Sequence, residues 1–292
     1  MTSGVLLIDK PSGLTSHDVV ARVRTVLDTS RVGHAGTLDP LATGLLVIAV
    51  GSATRLLRFA QVETKRYLAR VRFGEATDSL DADGRVVSST DDVLRPLDLV
   101  RATAEGFLGA SFQRPPMVSA IKVKGRRLHE LAREGVEVER PERPIEVTRF
   151  EVRETPDPRE WDLDIECSTG TYVRVLGADL AERLGTLGHL VALRRLRSGA
   201  HDVTEAVTLE FLEQCEDAPG QMRLAGDLLA GLESVVLDEI QTVAMRRGQR
   251  LRLEATSAGP LAAYDSAGEL VGVLAAREEL WQPDVVLVGV NA

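Results

Sequence analysis

Residues 33–44 read Gly-His-Ala-Gly-Thr-Leu-Asp-Pro-Leu-Ala-Thr-Gly and run directly into the apolar Leu45-Leu-Val-Ile-Ala-Val50. One carboxylate, Asp39, stands between glycines that permit tight turns, and Pro40, with its fixed φ, restricts Asp39 to extended backbone. The apolar run that follows reads as a buried strand. From these residues alone two roles are open. Asp39 caps a short helix over 40–45, as an Asp before Pro commonly does, or it is a rigidly held reactive carboxylate. The stretch lacks the GK[ST] of a phosphate loop and is too short for a dinucleotide fingerprint.

Outward from this stretch the pattern is α+β. Gly4–Ile8 is a short apolar strand closed by the turn residues 10–13, and Ser16 is placed to cap a helix whose Val19, Val20, Val23, Val26 and Leu27 recur at helical spacing. Lys65–Phe73 alternates: Tyr67, Ala69, Val71 and Phe73 share one face, Arg66, Leu68, Arg70 and Arg72 the other, which makes a half-buried strand with a basic outer face. The acids of Asp78–Gly84 lack the ligand series and closing Glu of a calcium loop, so the segment reads as a hairpin connection. Further on come a helix over 92–108, a strand over 117–123, a turn at Lys124-Gly125 and a basic helix over 126–134. Residues 145–153 and 161–167 read as an antiparallel pair, and a helix runs from beyond Gly170 to Leu184. Residues 188–197 are apolar and basic, 203–233 form an acidic helical connector, and from about 234 short strands around glycines suggest a small β domain. Two domains are expected, 1–232 and 233–292.

Composition narrows the function. The 292 residues, 44% hydrophobic and 27% charged, are those of an ordinary globular chain, and no apolar run approaches the ~20 residues that span a bilayer. No membrane association is expected, and with no signal-peptide pattern a cytoplasmic location is. Two cysteines, Cys167 and Cys215, and five scattered histidines match no metal-ligand spacing, so no metal is expected. The net charge of −9 is unevenly spread: residues 1–72 hold ten Lys and Arg against five acids, whereas 202–239 hold one against ten. A local basic surface governs binding to phosphates, so nucleic acid stays a candidate partner. Without a metal, thiol or Ser-His partner, a catalytic Asp39 acts directly as nucleophile or base. A glycosidase would need a second carboxylate within about 5–10 Å, and Asp81 or Asp83 are the candidates.

The ordered series Gly4–Gly13, Gly33–Gly44, Lys65-Arg66-Tyr67, Thr77–Gly84, Pro115–Lys122, Gly170–Arg174 and Leu193–Leu196 resembles the TruB-type tRNA pseudouridine-55 synthases over residues 4–200. The resemblance implies a mixed, mostly antiparallel central sheet with flanking helices. It also implies a reaction free of cofactor and metal: a T-loop uridine of tRNA is flipped out, its N1–C1′ bond breaks, and the base rejoins through C5. Flipping is physically required, because C1′ and the ring atoms are occluded in the stack.

By the same resemblance Asp39 is the catalytic aspartate, attacking the nucleotide or removing a ribose proton. Tyr67 stacks on the base and serves the C5 proton, Tyr172 is the second pocket tyrosine, and Arg174 pairs with the catalytic carboxylate and keeps it ionised. His34 packs where the flipped base was, Leu193 walls the uracil pocket, Lys10 and Arg55 contact phosphate, and the basic segment 122–133 meets the T arm. Residues 234–290 resemble a PUA-type RNA-binding domain, a small β-barrel. The implied partner is tRNA alone, bound by a monomer without a guide RNA. The alternative reading is an RNA-binding tRNA-folding chaperone without catalysis.

Overall fold

The computed structural model describes residues 3–60, 64–119, 122–123, 126–128, 134, 136, 138–254 and 259–287. In chain order the elements are β1 (Gly4–Lys10), α1 (Ser16–Val26), β2 (Val32–His34), β3 (Thr43–Val50), α2 (Leu57–Ala60), β4 (Lys65–Phe73), β5 (Glu75–Thr77), β6 (Val86–Ser89), α3 (Leu97–Glu105), β7 (Gly109–Gln113), β8 (Lys122–Val123) and β9 (Arg126–Arg127). They continue with β10 (Arg143–Glu154), β11 (Glu160–Cys167), α4 (Val173–Arg183), β12 (Gly188–Ser198), β13 (His201–Asp202), β14 (Val207–Thr208), α5 (Leu209–Gln214), β15 (Glu233–Val236), α6 (Glu239–Arg246), β16 (Leu261–Tyr264), β17 (Leu270–Arg277) and β18 (Leu280–Val286). The chain groups into two compact units: Met1–Asp39, Gly44–Glu63 and Ser198–Ala292 in one, Pro40–Thr43 and Thr64–Arg197 in the other.

In the first unit β1 pairs antiparallel with β3 and parallel with β14, and β2 pairs antiparallel with β3. Val5 and Leu7 of β1 and Leu45, Val47 and Ala49 of β3 lie in one apolar cluster with Ala262, Val273, Val285 and Leu287 from the C-terminal end of the chain. Those C-terminal residues belong to a four-stranded sheet ordered β15-β16-β17-β18 among the described residues, with β15 parallel to β16 and the other pairs antiparallel. Its Leu261, Ala263, Val271 and Leu274 lie in a second cluster with Met245 of α6. Strand β16 alternates between the two clusters, and β17, whose register with both neighbours is broken by bulges, gives Val273 to the first and Val271 and Leu274 to the second, so both faces of this sheet are buried.

In the second unit five strands take the order β12-β4-β11-β10-β7, with β4–β11, β11–β10 and β10–β7 antiparallel. Helix α4 lies on this sheet: a Cβ added at Gly177 would stand 2.8 Å from Leu190 of β12 and 3.6 Å from Val71 of β4. Glycine at that position lets helix and sheet approach closely.

Several expectations are corrected. No helix follows Pro40; β3 starts at Thr43, so Asp39 has no helix to cap there. Helix α3 covers 97–105 rather than 92–108, because Pro96 starts it and Gly106 ends it. Lys122–Val123 pairs antiparallel with Arg126–Arg127, so the expected basic helix does not begin at 126; the expected turn at Lys124-Gly125 and residues 129–133 lie outside those described. The acidic connector 203–233 is broken up: three short 3₁₀ segments, the strand β14 and α5, its one α-helix among the described residues, alternate with irregular chain. Helix α6 was not foreseen. No helix among the described residues is long and apolar enough to cross a membrane.

Candidate active site

The loop that carries Asp39 is fixed at both ends. The β2–β3 pairing runs to His34 opposite Ile48, and Ala35 N donates to Val47 O at 2.9 Å, so residues 36–42 are the excursion. Gly36 and Gly44 have φ of +104° and +96°, values that side chains other than glycine rarely adopt. Leu38 and Ala42 are buried while Asp39 is half-buried, which presents a carboxylate from a loop whose apolar residues are sunk. Helix α1 sits under the loop. Its N-cap is Thr15, in a capping box with Asp18, rather than the expected Ser16. The Ser16 hydroxyl instead accepts from Leu38 N at 2.8 Å and donates to Leu38 O at 3.1 Å.

Three other expected residues share this unit. His34 meets the His17 ring edge-to-face, centroids 5.6 Å apart. Lys10 is wholly buried, and its ammonium donates to the carbonyls of Pro11 (2.9 Å) and Leu14 (2.6 Å). It holds the turn after β1 together and is not the exposed phosphate contact the sequence suggests. Arg55 Nη1 donates to Val286 O at 2.6 Å.

The second unit holds Tyr67, Tyr172, Arg174 and Leu193. Tyr67 is buried on β4, with the alternation of that strand turning it inward beside Ala69 and Val71. Leu193, also buried, lies on β12, where its carbonyl accepts from Thr43 Oγ1 at 3.4 Å. Tyr172 is the N-cap of α4, and its backbone is gripped from both sides by Gln113: Tyr172 N donates to Oε1 at 2.8 Å and Nε2 donates to Tyr172 O at 3.1 Å.

Arg174, in the first turn of α4, is buried and forms an ion pair at 3.2 Å with the equally buried Asp81. Its guanidinium also donates to Ser79 O (2.8 Å) and Val118 O (3.0 Å). Asp81 accepts from Ser79 Oγ at 2.5 Å, and the strand-like bridge of Asp81 to Leu190 ties the β5–β6 connection to β12. Asp81, which the sequence offered only as a hairpin acid or a second carboxylate, is thus the partner of Arg174. Ser16 and Gln113 carry no sequence signal beyond a helix start and a strand end.

The arginines on the outer face of β4 are matched by carboxylates on β11: Arg66 is bidentate to Asp164 (2.9 and 2.7 Å), Arg70 to Asp162 (2.7 and 3.1 Å), and Arg72 pairs with Glu160. This face is a neutralised ladder, not a free basic surface. Burial pushes the Cys167 thiol up to about 11, which keeps it protonated and unreactive. Among the described residues no cluster of His, Cys, Asp and Glu could hold a metal ion. In the first unit the glycine-flanked loop thus holds one half-buried carboxylate, Asp39, and in the second Tyr67, Tyr172, Arg174 and Leu193 are held on β4, α4 and β12.

Comparison with known proteins places these residues in a family. Residues 24–173 match the family described as TruB family pseudouridylate synthase (N terminal domain), and residues 174–236 that described as tRNA pseudouridylate synthase B C-terminal domain. The chain is 44% identical over 241 residues to the tRNA pseudouridine synthase B of Mycobacterium avium (strain 104), covering 82% of this chain and 78% of that one. It is 39% identical over 304 residues to that of Arthrobacter sp. (strain FB24), covering 100% and 98%. A solved structure, described as "Structure of H/ACA RNP bound to a substrate RNA containing 2'-deoxyuridine", superposes with a TM-score of 0.76 at 22% identity over 99% of this chain and 86% of that one, a likeness of fold.

Proposed function

The chain belongs to the TruB family of pseudouridylate synthases, and from that membership we infer that it is an isomerase that converts one uridine of tRNA, in the T loop at position 55, to pseudouridine. The observation that carries the reading is the agreement of the family match with a half-buried Asp39 on a loop pinned by buried neighbours.

The reaction is balanced within the substrate. The N1–C1′ bond breaks, C5 bonds to C1′, the C5 proton leaves and N1 gains one, so no cofactor is required. In this reading Asp39 acts on the ribose of the flipped nucleotide and Arg174 favours its ionised form. Tyr67 stacks on the base and serves the C5 proton, Tyr172 and Leu193 line the pocket, and His34 packs in the vacated T loop.

The same reading makes residues 233–292 a PUA-like RNA-binding module after a catalytic domain over 1–232. It has the protein act as a cytoplasmic monomer on tRNA without a guide RNA. The test is to treat an unmodified tRNA transcript with the protein, derivatise it with carbodiimide and map reverse-transcription stops. A single new stop at the T-loop uridine is expected. Tight tRNA binding without any stop would instead favour a folding chaperone.

A further inference from the structure

We propose that Ser16 is a positioning residue for Asp39, acting through the backbone of Leu38; this rests on the reading of Asp39 as the catalytic carboxylate. The hydroxyl of Ser16 is wholly buried and is not spent on its own helix, since Thr15 caps α1. It both accepts from Leu38 N at 2.8 Å and donates to Leu38 O at 3.1 Å, so a single oxygen satisfies the two backbone polar groups of the residue before Asp39. Leu38 itself is buried, with 3% of its surface exposed. On the other side Pro40 has no N–H to contribute and a φ fixed by its ring. Asp39 is therefore held between a clamped residue and a rigid one in a segment without a ladder of its own, and the clamp is anchored in a helix.

The arrangement matters to rate more than to binding. The carboxylate must stand within about 3–3.5 Å of its target atom, and a misplacement of about 1 Å is enough to cost on the order of 100-fold. Removing the hydroxyl leaves the buried N–H and C=O of Leu38 without these bonds, and the loop relaxes to find others or water. The tRNA contacts, spread over a much larger surface, are unaffected by so local a change.

The experiment compares wild type with Ser16→Ala, Ser16→Thr, Ser16→Val and Asp39→Asn. It reads the single-turnover rate on a [5-³H]uridine tRNA transcript at saturating protein and, separately, tRNA affinity by filter binding. Threonine and valine add the same bulk at the buried site, but only threonine keeps the hydroxyl. Expected are a loss of rate of about 10- to 100-fold in Ser16→Ala with affinity within about 2-fold of wild type, and a rate for Ser16→Thr at least about 5-fold above that of Ser16→Val. Equal rates for the threonine and valine variants, or a wild-type rate for alanine, would overturn the positioning role. Should Asp39→Asn keep the wild-type rate, the reading of Asp39 itself fails. Should it be inactive while the Ser16 variants match wild type, only the present inference fails.

Discussion

At Arg174 and Asp81 two opposite charges are buried together, and their burial makes them interdependent. An ion pair removed from water is stable only while both partners are present; taking one away leaves the other uncompensated, at a cost of about 3–5 kcal/mol. Asp81→Asn is thus expected to lower the unfolding free energy by about 3 kcal/mol in urea titration, whereas Asp83→Asn, two residues on and exposed, should change it by no more than ~0.5 kcal/mol. Equal effects would mean that the pair does not hold the β5–β6 connection. At this scale much of the site was legible. Glycines and a proline around Asp39, and the inward alternation of Tyr67, are patterns within a few residues. Asp81, Ser16 and Gln113 were not legible, because each acts on a backbone or a charge brought to it from a distant part of the chain.

The elements were legible where a period ran long enough to show. Strand β4 has the bounds its alternation predicts, and β10 and β11 pair as expected. Where no period was sustained, composition misled: the basic run after Gly125 begins as a two-residue strand, and the acidic connector is broken into short 3₁₀ segments, one strand and one short α-helix. The ladder between β4 and β11 has a titration consequence. The bidentate Arg66 guanidinium, with Arg149 adding to it, holds the Asp164 carboxyl below its ordinary range, more than offsetting the effect of burial. In the unfolded chain that carboxyl takes up its proton first as the pH falls, near its usual value of about 4. The contribution of Asp164 is therefore complete above that value and is lost on acidification through the lower folded one. Melting temperature measured from pH 7 to pH 2 should fall less steeply below pH ~4 in Asp164→Asn than in wild type; parallel curves would show that the ladder carries no such linkage.

For the whole molecule, the N-terminal strands and the C-terminal sheet share a core. Ala262, Val273, Val285 and Leu287 are buried in the same cluster as Val5, Leu7, Leu45 and Val47, all in one compact unit. The sequence marked the change of texture near residue 234 but not this shared burial, because apolar periodicity shows that a face is buried and not against what. A chain ending at residue 232 would expose that cluster. At about 1.5–3 kcal/mol for each large apolar side chain uncovered, the loss is several kcal/mol, out of a total stability of about 5–15 kcal/mol. Such a chain should melt well below the full-length protein or fail to stay soluble; an unchanged melting temperature would show that the two parts are energetically separate. His201 tests the same unit by pH. Burial holds its imidazole below the ordinary range, so the unfolded chain gains the proton first, and stability should decline as the pH falls below about 6.5.

The most direct measurement is tritium release from an unmodified tRNA transcript carrying [5-³H]uridine, comparing wild type with Asp39→Asn, since substitution at C5 must displace that hydrogen. Release by wild type, abolished in Asp39→Asn and absent at the T loop when its target uridine is replaced by cytidine, is the expected result. Release by Asp39→Asn at the wild-type rate would contradict the central claim that this carboxylate performs the isomerisation.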